Sequence, residues 1–281
     1  LPELLPFIMQ TERFHEHSIK QSKGSVNPYV NFSDIAWFEF ALPPLEEQKR
    51  ISEKFSAIEE TIERLLETNN KLEICRQSYL EQTFHPANQK LKELDKIAKI
   101  VSGGTPIKSR RDFWIGEIPW LSPKDMKDSI LSDTENHISK EALTTGSKLA
   151  PENSIFIVVR GMILDHTFPV CRSLIPMAFN QDVKAITVSS DYMPEYIHAW
   201  FDWAAPRYLQ LVSESSHGTK RLEKSQLLSL RVPDVDLDSQ KQFLEPITKL
   251  DTTQTAIAQR INKLQSIKRK MLLYLMGDSA S

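Results

Sequence analysis

The chain has 281 residues with a formal net charge of −2, 26% charged side chains, and 16 prolines against eight glycines. That length allows two domains, or one domain with extended elements, and the slight acidity argues weakly against a free-standing nucleic-acid binder. No apolar run reaches the roughly 18 residues of a membrane span. The start, Leu1-Pro2-Glu3-Leu4-Leu5, has no signal-peptide pattern. Cys75 and Cys171 stand far apart without a zinc-type spacing, so a reduced, cytoplasmic protein without metal is expected. Charge is uneven: the stretch 46–84 is acidic, while 85–232 carries a slight basic excess, which favours polyanion contact there.

In chain order, Lys23-Gly24-Ser25 reads as a polar turn, and Trp37 to Pro43 as a strand-like segment. Pro43-Pro44 and the acidic Glu46-Glu47 then open a long helix that His85-Pro86 stops. Its apolar residues alternate in steps of four and three: Ile51, Phe55, Ile58, Ile62, Leu65, Leu72 and Tyr79. Such alternation is a coiled-coil seam. Asn69 and Arg76 interrupt it.

The middle of the chain reads as mixed α/β. Residues 91–100 form a short helix or strand, and Ser102-Gly103-Gly104-Thr105-Pro106 must turn. Phe113 to Leu121 reads as one strand, Ser154 to Arg160 as another, and Met177 to Ile186 as a third with a polar interruption. Pro194 to Leu211 is helical, with Tyr196, Ile197, Trp200, Phe201, Tyr208 and Leu209 on its apolar face. His217-Gly218-Thr219 is a second glycine turn, before a strand-like Leu228 to Pro233.

A second seam follows: Phe243, Ile247, Leu250, Ile257, Ile261, Leu264, Met271 and Leu275, interrupted by Gln254 and Lys268. Each position lies at a constant offset of 192 residues from its counterpart, as Phe243 does from Ile51. Asn70-Lys71-Leu72 returns as Asn262-Lys263-Leu264, and both helices follow strand-like segments and glycine turns. The chain therefore reads as a duplication of a globular domain followed by a long helix. Its first copy keeps only about 45 residues before the helix, so either the chain is the C-terminal part of a longer protein or its N-terminal half was replaced or lost. Polar seam residues specify register and partner; Arg76 and Lys268 serve that role, or face solvent by snorkelling. A helix of about 36 residues would span roughly 54 Å and hold two domains apart.

Leu42-Pro43-Pro44-Leu45-Glu46-Glu47-Gln48-Lys49-Arg50-Ile51 resembles the conserved-region signature of type I restriction–modification specificity subunits. Ser102-Gly103-Gly104-Thr105-Pro106, Ile118 to Met126, Phe179-Asn180-Gln181 and His217-Gly218-Thr219 resemble landmarks of their target-recognition domains. The second junction, Asp236-Leu237-Asp238-Ser239-Gln240-Lys241, departs from the signature. The resemblance implies an α+β fold: a mixed α/β recognition domain plus two long helices pairing as an antiparallel coiled coil. Its parts would be 1–45, the remnant of a first recognition domain; 46–85, the first spacer helix; 86–233, the second recognition domain; and 234–281, the second helix. It further implies a non-catalytic subunit that binds double-stranded DNA, reading one half of a split site. The helices would dock methyltransferase subunits and, through the complex, a restriction/translocase subunit. S-adenosylmethionine, ATP and magnesium would belong to those partners, leaving this chain without a cofactor.

No residue pattern supports catalysis. Asn27-Pro28-Tyr29 lacks a proline of the adenine-methyltransferase loop, Asp125-Met126-Lys127 lacks the acidic partner of a nuclease, and Gly103-Gly104-Thr105 is no P-loop. The candidate DNA contacts are Lys108, Arg110 and Arg111 with Thr105, then Lys124, Arg160, Asn180, Gln181, His217, Thr219, Lys220 and Arg221. Cations position phosphates, and Asn or Gln amides match adenine edges. A coiled-coil scaffold, the specificity end of a fused restriction–methylation enzyme, and a truncated subunit that dimerises are the competing readings.

Overall fold

A computed structural model describes residues 1–85, 90–214 and 218–275. Its helices are α1 (Leu5–Ile8), α2 (Glu12–Gln21), α3 (Phe32–Ile35), α4 (Leu45–Phe84), α5 (Leu94–Ile97), α6 (Lys140–Thr145), α7 (Pro194–Tyr208), α8 (Lys224–Leu228) and α9 (Leu237–Leu275). The strands are β1 (Leu91–Glu93), β2 (Ala98–Ser102), β3 (Ile118–Leu121), β4 (Ile130–Leu131), β5 (His137–Ile138), β6 (Leu149–Ala150), β7 (Ile155–Val158), β8 (Val170–Ser173), β9 (Met177–Phe179), β10 (Val183–Val188), β11 (Ser213–Glu214), β12 (Lys220–Arg221) and β13 (Arg231–Pro233). Two compact units divide the chain, Leu1–Ile74 with Leu250–Ser281, and Cys75–Lys249, so the division falls inside both long helices.

In the first unit α4 and α9 run antiparallel. Glu73 accepts a hydrogen bond from Gln254, Glu59 from Lys268, and Ile51 and Phe55 share a core with Leu275. Phe7 stacks on Phe55 with ring centroids 4.5 Å apart, and Leu4 and Ile8 complete that core. The same antiparallel order holds inside the second unit, where Tyr79 stacks on Phe243 and Phe84 lies 4.9 Å from the same ring. All the seam positions read from the heptads are buried or half-buried: Ile51, Phe55, Phe243, Ile247 and Ile257 are buried, and Ile58, Ile62, Leu65, Leu72, Leu250, Ile261 and Leu264 are half-buried.

Arg76 and Lys268 are neither solvent-facing nor snorkelling. The Arg76 guanidinium bonds Asp202 of α7 at 2.9 Å, and Lys268 donates to Gln10 and to Glu59 at 2.6 Å each. Asp202 and Gln10 are themselves 192 residues apart, so each seam cation ties its helix to the same point of its repeat.

That repeat reaches further upstream than the heptads show. Buried Gln48 accepts from the Leu1 nitrogen at 2.6 Å and donates to the Pro43 carbonyl at 2.8 Å. Buried Gln240 accepts from the Met193 amide at 2.7 Å and donates to the Val235 carbonyl at 2.9 Å. All three residues of each set are related by the 192-residue offset. The short helices α3 and α8 match as well, each opened by a capping box, Asn31 with Asp34 and Glu223 with Gln226. Gln240 is fully buried and also donates to the Asp191 carbonyl. Gln240→Ala should therefore strand one amide and two carbonyls and lower stability by about 1–3 kcal/mol, read as the denaturant midpoint; an unmoved midpoint would refute this anchoring.

The second unit is a mixed α/β domain. One sheet has the order β2-β10-β7-β8-β4, antiparallel except for the β8–β4 pair; a smaller one has β5-β3-β9-β6, with β3 and β9 parallel. Helix α7 packs its buried Tyr196, Ile197, Trp200 and Phe201 into the same core as Ile155 to Val158 and Ile186.

Three strand expectations change. Met177 to Ile186 is two strands in different sheets, because Asn180 Oδ1 accepts from the Asp182 amide and turns the chain between β9 and β10. Phe113 and Trp114 belong to a 3-10 helix, Arg111–Trp114, and β3 begins only after Gly116, which passes against the Ile138 backbone. Residues 37–43 form no ladder, whereas β13 at the corresponding place pairs with β1. A strand needs a neighbour to satisfy its backbone; β13 has β1, and among the described residues none pairs with 37–43.

Candidate nucleic-acid interface

The Gly103-Gly104 turn organises the surface. Leaving β2, its backbone runs so close to two other loops that side chains are excluded. A Cβ on Gly103 would lie 2.2 Å from the Phe179 carbonyl oxygen, and one on Gly104 would lie 1.7 Å from that of Gly146. The Gly104 amide donates to Phe179 O at 2.9 Å, and Trp120 Nε1 donates to Gly104 O at 3.1 Å. The turn is thus pinned against the 179–182 and 146–148 segments. Thr105, the next residue, donates its hydroxyl to Gln181 Oε1 at 2.5 Å.

Gln181 is exposed, while Asn180 is buried. With its side chain capping the turn and its amide bonded to Leu121 O, Asn180 shapes the loop that presents Gln181.

Cations gather beside this pair. Arg160 donates to Asp182 at 2.8 Å and forms a backbone bridge with Arg221. Gly161 donates to the Lys220 carbonyl at 3.0 Å. Lys220 itself pairs with Glu214 at 3.0 Å and Asp165 at 3.2 Å, contacts that raise its pKa, and Arg221 pairs with Glu223 at 3.2 Å. Thr219 is half-buried next to Lys220; His217 lies outside the described residues. Thr105, Arg160, Gln181, Lys220 and Arg221 therefore converge from distant parts of the chain.

Lys108, Arg110, Arg111 and Lys124 stand apart in two local structures. Arg110 bonds Asp112 through two nitrogens and lies 4.4 Å over the Phe113 ring. That pairing holds the Asp112 carboxyl below its ordinary range and offsets one of the loop's three positive charges. Lys108 and Arg111 are exposed. Lys124 sits in a turn built by Asp125, whose carboxylate accepts from the Ser122 amide, the Ser122 hydroxyl and the Glu135 amide. Those bonds occupy the acid of the Asp125-Met126-Lys127 sequence. Among the described residues no group of acids, histidines and cysteines could hold a metal ion, and no helix is long and apolar enough to cross a membrane. Cys171 is buried, which raises its thiol pKa and keeps it unreactive.

One residue escaped the sequence reading. Lys184 on β10 stands opposite Ser102 and donates to its hydroxyl. Burial lowers its pKa first, followed by the positive charges of Lys224, Arg221 and Lys148. Val183 and Ala185 on either side are buried, and this period-two alternation was the available signal for an outward cation.

The described residues carry a repeated long helix with matching flanking elements and, in the second unit, a polar surface on which several cations gather. The sequence profile of the family described as type I restriction modification DNA specificity domain matches residues 4–74 and 86–266. The specificity subunit of the Escherichia coli type I restriction enzyme EcoR124I/EcoR124II is 31% identical over 229 residues, covering 80% of this chain and 56% of that subunit. The MjaIX specificity subunit of Methanocaldococcus jannaschii is 24% identical over 171 residues, 59% of this chain and 38% of its own. In fold, the chain resembles the HsdS subunit from Thermoanaerobacter tengcongensis, with a TM-score of 0.57, 17% identity, and coverage of 98% of this chain and 70% of that one. It also resembles the type I system S subunit from M. genitalium, with a TM-score of 0.60, 15% identity, and coverage of 97% and 74%.

The chain belongs to the type I restriction modification DNA specificity family. It spans about half the length of the Escherichia coli subunit.

Proposed function

We propose that this chain is the sequence-reading, non-catalytic part of a type I restriction–modification complex. Residues 86–233 form a target-recognition domain that reads one half of a two-part DNA site. Residues 1–45 belong to the first such domain, and the helices at 46–85 and 234–281 set the spacing and dock methyltransferase subunits. Methylation and cleavage, with their cofactors, fall to those partners and to a restriction/translocase subunit, and the complex acts on double-stranded DNA in the cytoplasm.

The observation that carries this reading is the convergence at the Gly103-Gly104 turn. It places an amide capable of base-edge hydrogen bonding, Gln181, next to cations suited to phosphates. A scaffold built on the helices alone has no use for such a surface.

Methylated adenines should be mapped in cells that carry the chain with its modification subunits. The expected outcome is a two-part motif with an unread gap. A continuous motif, or none attributable to the chain, would reject the assignment.

A further inference from the structure

The cations around the Gly103-Gly104 turn fall into two kinds. Arg160, Lys220 and Arg221 each have a carboxylate within 3.2 Å. Lys148, Lys184 and Lys224 form no ion pair with a carboxylate among the described residues, although the charge of Asp182 is felt at Lys184. These three come from separate segments: the turn after α6, strand β10 and the first residue of α8. Two close approaches bring them to one surface. Gly104 lies against Gly146 and Ser147, immediately before Lys148, while Ser102 at the end of β2 receives the Lys184 amine. Arg221 and Glu223 connect that surface to Lys224.

We propose that Lys148, Lys184 and Lys224 form a phosphate track that positions the DNA backbone while the Thr105–Gln181 pair faces the bases. This deepens, and rests on, the DNA-reading function above. Lys184 is the anchor of the track. It is half-buried between buried neighbours, and its amine is held by a neutral hydroxyl, so its position is fixed before any ligand arrives. Burial lowers its pKa first, and the positive charges of Lys224, Arg221 and Lys148 lower it further against the opposing charge of Asp182, so an anion placed here would relieve the cationic crowding. A DNA phosphate is the anion that this family's partner supplies in a row. Paired cations such as Arg160 must surrender a carboxylate to bind one; the three lysines need not.

The test uses the full chain and a short mixed-sequence DNA duplex, with binding followed by fluorescence anisotropy across a salt series. Each phosphate contact contributes about 0.9 to the slope of log affinity against log salt. The K148Q/K184Q/K224Q variant should lose about 2.7 of that slope, and the K148R/K184R/K224R variant should retain it. Gln181→Ala should leave the slope unchanged, because base contacts release no counterions. Should the triple glutamine variant fail to fold, K148Q and K224Q alone, both at exposed positions, should each remove about 0.9. If the unaltered chain binds with a salt-dependent slope that the glutamine variants preserve, the track is overturned while the DNA-reading function stands. If the unaltered chain shows no salt-dependent binding, both fall together.

Discussion

Phe243→Ala is expected to destabilise the second unit by about 3–5 kcal/mol, among the largest effects of any single side-chain truncation in the chain. Phe243 is a seam residue by its heptad position, yet it is also the centre of an aromatic cluster. Its ring stacks on Tyr79 at 5.4 Å, meets Phe84 at 4.9 Å and stands edge-on to Tyr196 of α7 at 5.3 Å. Leu80, Leu244 and Ile247 surround the same group. Removing the ring opens a cavity bounded by α4, α7 and α9 at once, and none of these can collapse alone. Trp114, Trp120, Trp200 and Trp203 all lie in the second unit, so the denaturant midpoint of intrinsic fluorescence reports mostly on it. A shift under about 1 kcal/mol would contradict the cluster's role. Phe243→Leu keeps most of the volume and should cost under about 1.5 kcal/mol.

The same residue shows what the sequence made legible. A helical seam leaves a strong trace because burial recurs with the helix period, and both long helices were readable from their apolar spacing. Their antiparallel pairing followed from the family resemblance, and the Glu73–Gln254 and Glu59–Lys268 contacts display it. Arg76 and Lys268 were harder, since a cation on a seam can as well snorkel as form a tertiary ion pair, and Asp202 is remote in sequence. The match of Pro2-Glu3-Leu4 to Pro194-Glu195-Tyr196 was present at the same offset but short. Only the Gln48 and Gln240 bonds give it physical meaning.

Within the candidate site, local chemistry predicted the turn but not what it touches. Two glycines announce conformational freedom; that they serve close approach to Phe179 and Gly146 is a long-range fact. Asn180 and Gln181 look alike as neighbours, yet one caps a buried turn and the other meets Thr105 at the surface. The basic run Lys108-Ser109-Arg110-Arg111 was conspicuous, although Asp112 already occupies Arg110. Lys184 was inconspicuous because a single lysine in a strand carries no cluster signal. Its cluster is assembled from Lys148 and Lys224, far along the chain on either side.

Gly104→Ala should therefore abolish recognition while sparing the core. The new Cβ would fall 1.7 Å from Gly146 O and 2.9 Å from Gly146 C, both backbone atoms that no rotamer change can remove. Either the 103–106 turn or the 146–148 turn must shift by more than an ångström to restore an ordinary separation. A shift of the first parts Thr105 from Gln181, and a shift of the second displaces Lys148. If the Gln181 amide makes one bidentate base-edge contact worth about 1–3 kcal/mol, losing it lowers specific affinity by up to about 100-fold. The turn lies outside the aromatic cluster around Phe243, so overpacking should take about 1–3 kcal/mol from stability and leave the unit folded. In cells, methylation at the mapped motif should disappear with Gly104→Ala while the protein persists at normal abundance and keeps its fluorescence transition. Undiminished methylation at that motif would show that the turn tolerates a side chain and that recognition is organised elsewhere on the domain.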